Sequence, residues 1–368
     1  MSKIIAEKSK ITVFVDELTT GGAQRVLLFL ARELVKKGHY VDFVVLSDSG
    51  ELFSQVDVNI NVVNLSTMSH SKDGLLVVLA SLFKLTRYFR EKQPHGILST
   101  ITGSNILAVV AWFLAGRPGR LILREATSLR NVSSKFRLWL MSFLYKRATA
   151  VIALTSVHAQ EFLHAFDINK KRLTVIGNPV DSEYLDRSIF SFNESLAKDY
   201  SPYLVAVGRL TKAKDFSTLI KAYSLLDKKG NFPGLVIVGD GPERNALHEL
   251  IAGLSLQGKV FLAGHCDAPS GWYANAEGFV LSSLWEGYPN ALLEALYFNL
   301  PVLVTRYDSS VEGIISSLGV QRFEYAKPGD PEDIARALKA LCNVGGHNKV
   351  SVDSGQIVES YESILLNR

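Results

Sequence analysis

GFVLSSLWEGYPNALLEALYFNLPVLVT, Gly278 to Thr305, reads as a strand, a loop, a helix and a second strand. The question it raises is where the helix begins, because two acids, Glu286 and Glu294, lie eight positions apart. On a single helix they would stand about 80° apart on one face. Gly287 and Pro289 argue against that, and a start near Pro289 or Asn290 leaves Glu286 in the loop and Glu294 about one turn inside the helix. The backbone N–H groups from Gly287 to Asn290, the turn that also holds Tyr288 and Pro289, then become phosphate donors, because the first turn of a helix has unpaired N–H groups and a positive dipole end. A carboxylate on either side accepts hydrogen bonds from neutral diols, which lysine and arginine cannot do. One ligand could therefore present a sugar to Glu286, a diphosphate to the N–H groups and a ribose to Glu294.

The same strand and helix alternation extends over most of the chain. Strand candidates begin at Ile11, Tyr40, Gly96, Arg120, Ala150 and Arg172, then at Tyr203, Gly234, Lys259, Gly278, Pro301 and Val320. Short β-branched runs separated by helical patterns predict parallel sheets covered by helices. The length of 368 residues predicts two such domains. Asp181 to Pro202 lacks sustained periodicity and reads as a linker. The expected division is 1–185, 200–354 and a last helix within 355–368 returning to the first domain. Two α/β domains facing one another would leave a cleft lined by the loops at the carboxyl ends of their strands.

Three more loops belong to that set. In DELTTGGAQRV, Gly21 and Gly22 remove side chains where a strand passes into a helix, which suits either close approach of a bound group or a tight turn alone. In AVGRLTKAKDF, Arg209 and Lys214 can neutralise a diphosphate and stabilise its charge as it departs, with Lys212 a competitor for the role. VGDGPERNAL lacks both the P-loop lysine and the third dinucleotide glycine, and reads as a structural turn with Pro242 opening a helix.

In order and spacing, GRLTKAKDFSTLIKAY, LVIVGDGPERNAL, VFLAGH and SLWEGYPNALLEALYFNLPVLVT resemble the family-4 retaining glycosyltransferases of the GT-B fold. The first half is similar more loosely, through GGAQRVLLFLARELVKKGHYVDFVVL and VIGNPVD. The resemblance implies two Rossmann-like domains and a nucleotide-sugar donor bound as substrate, with no cofactor. It implies Arg209 and Lys214 on the diphosphate, Glu286 on donor-sugar hydroxyls, Glu294 on the ribose, and Gly21 and Gly22 near the sugar phosphate. The histidine many relatives carry beyond the strand matching RLILRE is absent; Arg124 and Glu125 stand there instead. Glu125 is then a candidate sugar or acceptor contact with Arg124 its partner, or the two form a structural ion pair; Asn105 is a candidate helix cap. The expected activity is transfer from a UDP-hexose or UDP-N-acetylhexosamine to a glycan or lipid-linked acceptor in cell-surface polysaccharide synthesis. A nucleotide-sugar epimerase or a non-catalytic binding subunit are the alternatives.

Composition narrows the rest. Two cysteines, Cys266 and Cys342, suggest neither a disulfide framework nor a zinc site, and no Asp-x-Asp element is present, so metal-independent chemistry in the cytoplasm is expected. No apolar run reaches the roughly 20 residues of a membrane span, and residues 1–10 carry no secretion signal. Net charge is +4, with the basic excess in the first half. Dispersed basic residues without a recognition motif argue against nucleic acid. Two segments are candidates for peripheral contact with the inner membrane. Leu79 to Lys92 is the clearer amphipathic pattern, whereas Lys135 to Ala148 is apolar at nearly every angle and is expected in the core.

Overall fold

The computed structural model describes residues 8–19, 21–47, 50–66, 74–129, 132, 134–189, 199–226, 232–267, 269–343, 348, 350 and 352–368. The chain forms two compact units. Unit 1 comprises residues up to Pro179 together with Asp353–Arg368, and unit 2 comprises Val180–Val352.

Unit 1 holds seven strands: β1 (Lys10–Phe14), β2 (Tyr40–Val45), β3 (Asn61–Asn64), β4 (Gly96–Thr100), β5 (Arg120–Glu125), β6 (Ala150–Ala153) and β7 (Leu173–Val175). They pair in parallel in the order β3-β2-β1-β4-β5-β6-β7. Unit 2 holds β8 (Tyr203–Val207), β9 (Gly234–Val238), β10 (Val260–Gly264), β11 (Gly278–Leu281), β12 (Val302–Thr305) and β13 (Phe323–Ala326), all parallel, in the order β10-β9-β8-β11-β12-β13. Both sheets are Rossmann-like, with strand order reversing beside the first strand of each unit.

The reversal sends successive helices to opposite faces. Helix Gly22–Lys36, after β1, buries Val26, Leu27, Leu30, Ala31 and Leu34 at helical spacing on one face of the first sheet. Helix Thr102–Leu114, after β4, buries Ala108, Val109, Ala111 and Trp112 on the other. In unit 2, helix Phe216–Leu226 and helix Asn290–Tyr297 divide in the same way.

Two regions of the chain depart from the sequence reading. β3 is an additional strand, four residues long and half-exposed, with asparagine at both ends. Of the stretch expected as linker, Ser182–Ile189 is helix within unit 2, and Tyr184, Asp186 and Ser188 bond to Asp267, Tyr297 and Ser270; residues 190–198 lie outside the described residues.

Helix Ser354–Leu366 packs on unit 1 against β4, β5 and helix Gly22–Lys36, burying Val358, Tyr361 and Leu365. Gly96 makes room for it, since a Cβ there would stand 2.9 Å from the Leu365 carbonyl. Glu362 joins Lys37 (2.9 Å) and His39 (3.0 Å), and Arg120 Nε donates to the Ile364 carbonyl at 2.8 Å.

Candidate active site

In unit 2 the order reverses at β8, which pairs with β9 on one side and β11 on the other. The loops leaving β8 and β11, residues 208–215 and 282–289, therefore diverge at the carboxyl edge of the sheet, where open α/β sheets form their ligand crevice. Arg209 and Lys214 are on the first loop, Glu286 and Gly287 on the second.

Lys214 Nζ and Glu286 Oε1 form an ion pair at 2.5 Å, with side chains 19% and 10% exposed. The loops are also tied through their backbones. Leu284 N donates to the Ala213 carbonyl (2.8 Å), and Ser282 Oγ to that of Lys214 (2.7 Å). Ser283 Oγ donates to Glu286 Oε1 at 2.6 Å, so this carboxylate is fixed from its own loop as well as from across the crevice. Gly208 accommodates the lysine stem; a Cβ there would meet Lys214 Cε at 3.0 Å. Arg209, by contrast, is exposed, and its guanidinium has no partner among the described residues. Lys212 is exposed on the same loop.

The helix after the second loop begins at Asn290, and Glu294 lies one turn inside it, accepting from Tyr273 Oη at 3.0 Å. There is no acid in the first turn. The donors differ from those expected. Pro289 has no N–H, and that of Asn290 goes to the Tyr288 carbonyl at 3.0 Å. The N–H groups of Gly287 and Ala291 make no hydrogen bond among the described residues. Tyr307, after β12, adds a hydroxyl closed off from solvent. Burial, then the nearby Glu286 and Asp308 carboxylates, hold it well above the usual phenol range, so it remains a neutral donor. Ser283, Tyr273, Ala291 and Tyr307 carried no signal in the sequence, because each acquires its role from an element elsewhere in the chain or from a neighbour's geometry.

The Gly-Asp-Gly-Pro turn after β9 supports the Arg209 loop from behind. Leu210 N donates to the Asp240 carbonyl (2.9 Å) and Glu243 N to that of Leu210 (3.1 Å), and the following helix starts at Arg244 rather than at Pro242. Gly239 has φ +146°, and a Cβ on it would lie 2.0 Å from the Gly208 carbonyl oxygen. Gly239→Ala is expected to destabilise unit 2 by roughly 2–3 kcal/mol by pushing that loop outward. Thermal unfolding checks this; an unchanged melting temperature would mean the contact has slack.

In unit 1, Gly21 precedes helix Gly22–Lys36 at the carboxyl edge of β1, with no acid in the first turn of that helix. Arg124 and Glu125 end β5 but do not pair with each other. Strand alternation sends Arg124 to the face of Ile122 and Tyr361, and Glu125 to that of Leu123 and Tyr145. Arg124, fully buried, donates to Asn178 Oδ1 (2.6 Å) and Thr100 Oγ1 (2.9 Å). Glu125, equally buried, accepts from Tyr145 Oη (2.6 Å), Thr102 Oγ1 (3.2 Å) and Thr127 N (3.2 Å). Burial raises its carboxyl above the usual glutamate range, against those hydrogen bonds. Asn105 is no cap; it stands inside helix Thr102–Leu114 and donates to the Arg124 carbonyl at 3.0 Å. Among the described residues no group of His, Cys, Asp and Glu suits a metal ion, and no helix is long and apolar enough to cross a membrane.

Comparison with known proteins agrees with this architecture. The family described as Glycosyltransferase Family 4 matches residues 20–184, and Glycosyl transferases group 1 matches residues 187–350. The chain is 28% identical to an N-acetylgalactosaminyltransferase of Campylobacter jejuni acting on N-acetylgalactosamine-N,N'-diacetylbacillosaminyl-diphospho-undecaprenol, over 82% of this chain and 81% of that one. It is 27% identical to the Escherichia coli UDP-Gal:α-D-GlcNAc-diphosphoundecaprenol α-1,3-galactosyltransferase, over 78% and 77%. In fold it is similar to Anabaena HepE, solved with UDP and glucose, at a TM-score of 0.75 and 20% identity, over 98% and 94% of the two chains. With the two family matches together spanning nearly all of a two-sheet α/β chain, the protein is an enzyme of the family-4 glycosyltransferases, built on the GT-B fold.

Proposed function

We propose that the enzyme transfers a hexose or N-acetylhexosamine from a UDP-sugar to a hydroxyl of a lipid-linked glycan, with retention of anomeric configuration and without a metal ion, at the inner face of the cytoplasmic membrane. The observation that carries this reading is the set of groups on the loops at the β8/β11 switch point: Arg209 with no partner among the described residues, Lys214 held beside Glu286, and a helix start without an acid. Two cations and the open N–H groups of Gly287 and Ala291 suit a diphosphate whose charge grows as it leaves. Glu286, already accepting from a serine hydroxyl, can accept from sugar hydroxyls, and Glu294 from the ribose.

In this reading the Lys214–Glu286 pair is the resting arrangement. Donor binding lets the ammonium share its donors between the carboxylate and a phosphate oxygen, and the sugar places its hydroxyls on Glu286. Unit 1 is the acceptor side. Its Gly21–Gly22 turn opens helix Gly22–Lys36 at the edge of its sheet, while the buried Arg124 and Glu125 set the framework of the neighbouring loops. Support for a nucleotide sugar and a diphospho-lipid acceptor comes from the relatives that use them.

The test combines a melting-temperature screen against UDP- and GDP-sugars with transfer of labelled sugar to a diphospho-undecaprenol glycan. A UDP-sugar that binds the folded protein raises its melting temperature, by the equivalent of about 2.7 kcal/mol at a hundredfold excess over Kd. Label should then appear on the lipid. Isomerised sugar formed without acceptor would point to an epimerase instead, and a melting temperature indifferent to every nucleotide sugar would defeat the proposal.

A further inference from the structure

Helix Lys135–Leu144 was expected in the core, but only one side of it is there. Met141 and Leu144 are buried, whereas Phe136, Trp139 and Phe143 are 70%, 60% and 45% exposed. Their spacing of three and four places them on one stripe. The rings stack along it, Phe136 on Trp139 at 5.9 Å and Trp139 on Phe143 at 6.1 Å. An ordered aromatic stack of this size facing water calls for a partner, because isolated exposed apolar residues are ordinary but contiguous patches are not.

A second apolar surface belongs to the same face of unit 1. Helix Thr102–Leu114 packs against both helix Lys135–Leu144 and helix Gly74–Lys92. The latter anchors its second half in the core through Leu85, Tyr88 and Phe89, while Leu75, Leu79 and Phe83 are more than half exposed. Lys84 Nζ reaches the Ser66 carbonyl just past the end of β3, so the residues preceding Lys84 extend beyond the carboxyl edge of the sheet. Helix Thr102–Leu114 begins immediately after β4 at that same edge. The exposed apolar groups thus rim the side of unit 1 from which its βα loops project.

Charge decides what covers them. Residues 135–147 contain four Lys and Arg and no acid, and residues 74–83 of the other helix contain no charge at all. Lys135, Arg137 and Lys146 are exposed around the aromatic stripe. A second copy docking isologously would bring this cationic face against itself, which like-charge repulsion opposes. A bilayer with anionic headgroups satisfies both features: the rings enter the boundary of the acyl chains while the lysines and arginines stay among the headgroups. We propose that the face formed by helix Lys135–Leu144 and the first half of helix Gly74–Lys92 docks unit 1 on an anionic lipid surface, with Trp139 at its centre. The placement rests on the lipid-linked acceptor proposed above, because it presents the acceptor-side loops to the surface in which such an acceptor is anchored.

Full-length protein is floated with vesicles of phosphatidylcholine alone and of phosphatidylcholine with phosphatidylglycerol, and tryptophan emission is followed. Binding to the anionic vesicles with a blue shift is expected, absent in Trp139→Phe and weakened by added salt. Phe136→Ser/Trp139→Ser/Phe143→Ser should partition at least roughly tenfold more weakly. Lys135→Glu/Arg137→Glu, which leaves the apolar stripe intact, should lose about fivefold or more per charge. All variants should keep the wild-type melting shift with the donor in the absence of lipid, so loss of vesicle binding alone separates this surface from the nucleotide site. No flotation of the wild type, equal binding to neutral vesicles, unimpaired binding by either multiple variant, or a concentration-dependent dimer dispersed by the triple substitution would overturn the proposal.

Discussion

Lys214→Ala is expected to slow turnover by roughly a hundred- to a thousandfold, the usual loss when one preorganised stabiliser of departing charge is removed. The effect on donor affinity should be much smaller. Negative charge on the bridging oxygen grows only as the sugar leaves, so a cation placed there acts on the transition state more than on the bound donor. A second consequence comes from the ion pair. Without Lys214, Glu286 is left 10% exposed with Ser283 as its remaining side-chain partner, at a cost of about 2–3 kcal/mol. Glu286→Gln in the same background should restore much of that stability, because a neutral amide needs no counter-charge, and should restore none of the turnover. Single-turnover rates and thermal unfolding on the two variants distinguish the roles. Wild-type turnover in Lys214→Ala would remove the lysine from the chemistry.

Glu294→Ala is expected to weaken donor binding by about ten- to a hundredfold, the range for one hydrogen bond to a charged acceptor, with turnover at saturating donor changed little. Tyr273 would lose its acceptor at the same time. Comparison of UDP with a 2′,3′-dideoxy analogue isolates the ribose contact. The wild type should discriminate between them, and the variant should bind both with similar affinity. Discrimination retained in Glu294→Ala, read by calorimetry, would place the ribose elsewhere.

The parallel sheets were legible because their strands are buried on both faces and so appear as continuous β-branched runs. β3 escaped that test as a short edge strand with only two apolar residues. The start of helix Asn290–Tyr297 could be read from Pro289 and Gly287, and with it the placement of Glu286 before the helix and Glu294 within it. What could not be read was pairing. Arg124 and Glu125 are adjacent in sequence and so point to opposite faces of β5, where different neighbours hold them. Lys214 and Glu286 are 72 residues apart and bond directly. Helix Lys135–Leu144 misled for a related reason: apolar residues at every angle imply burial only if neighbours exist on every side, and here Phe136, Trp139 and Phe143 are left exposed on one of them.

The helix Ser354–Leu366 has a consequence for the order of assembly. It supplies Val358, Tyr361 and Leu365 to the core of the unit that is synthesised first. On the ribosome, that unit must wait with an unsealed apolar flank while all of Val180–Val352 is made. A nascent chain interrupted before Ser354–Leu366 therefore leaves the sheet of unit 1 without the helix that packs on β4 and β5.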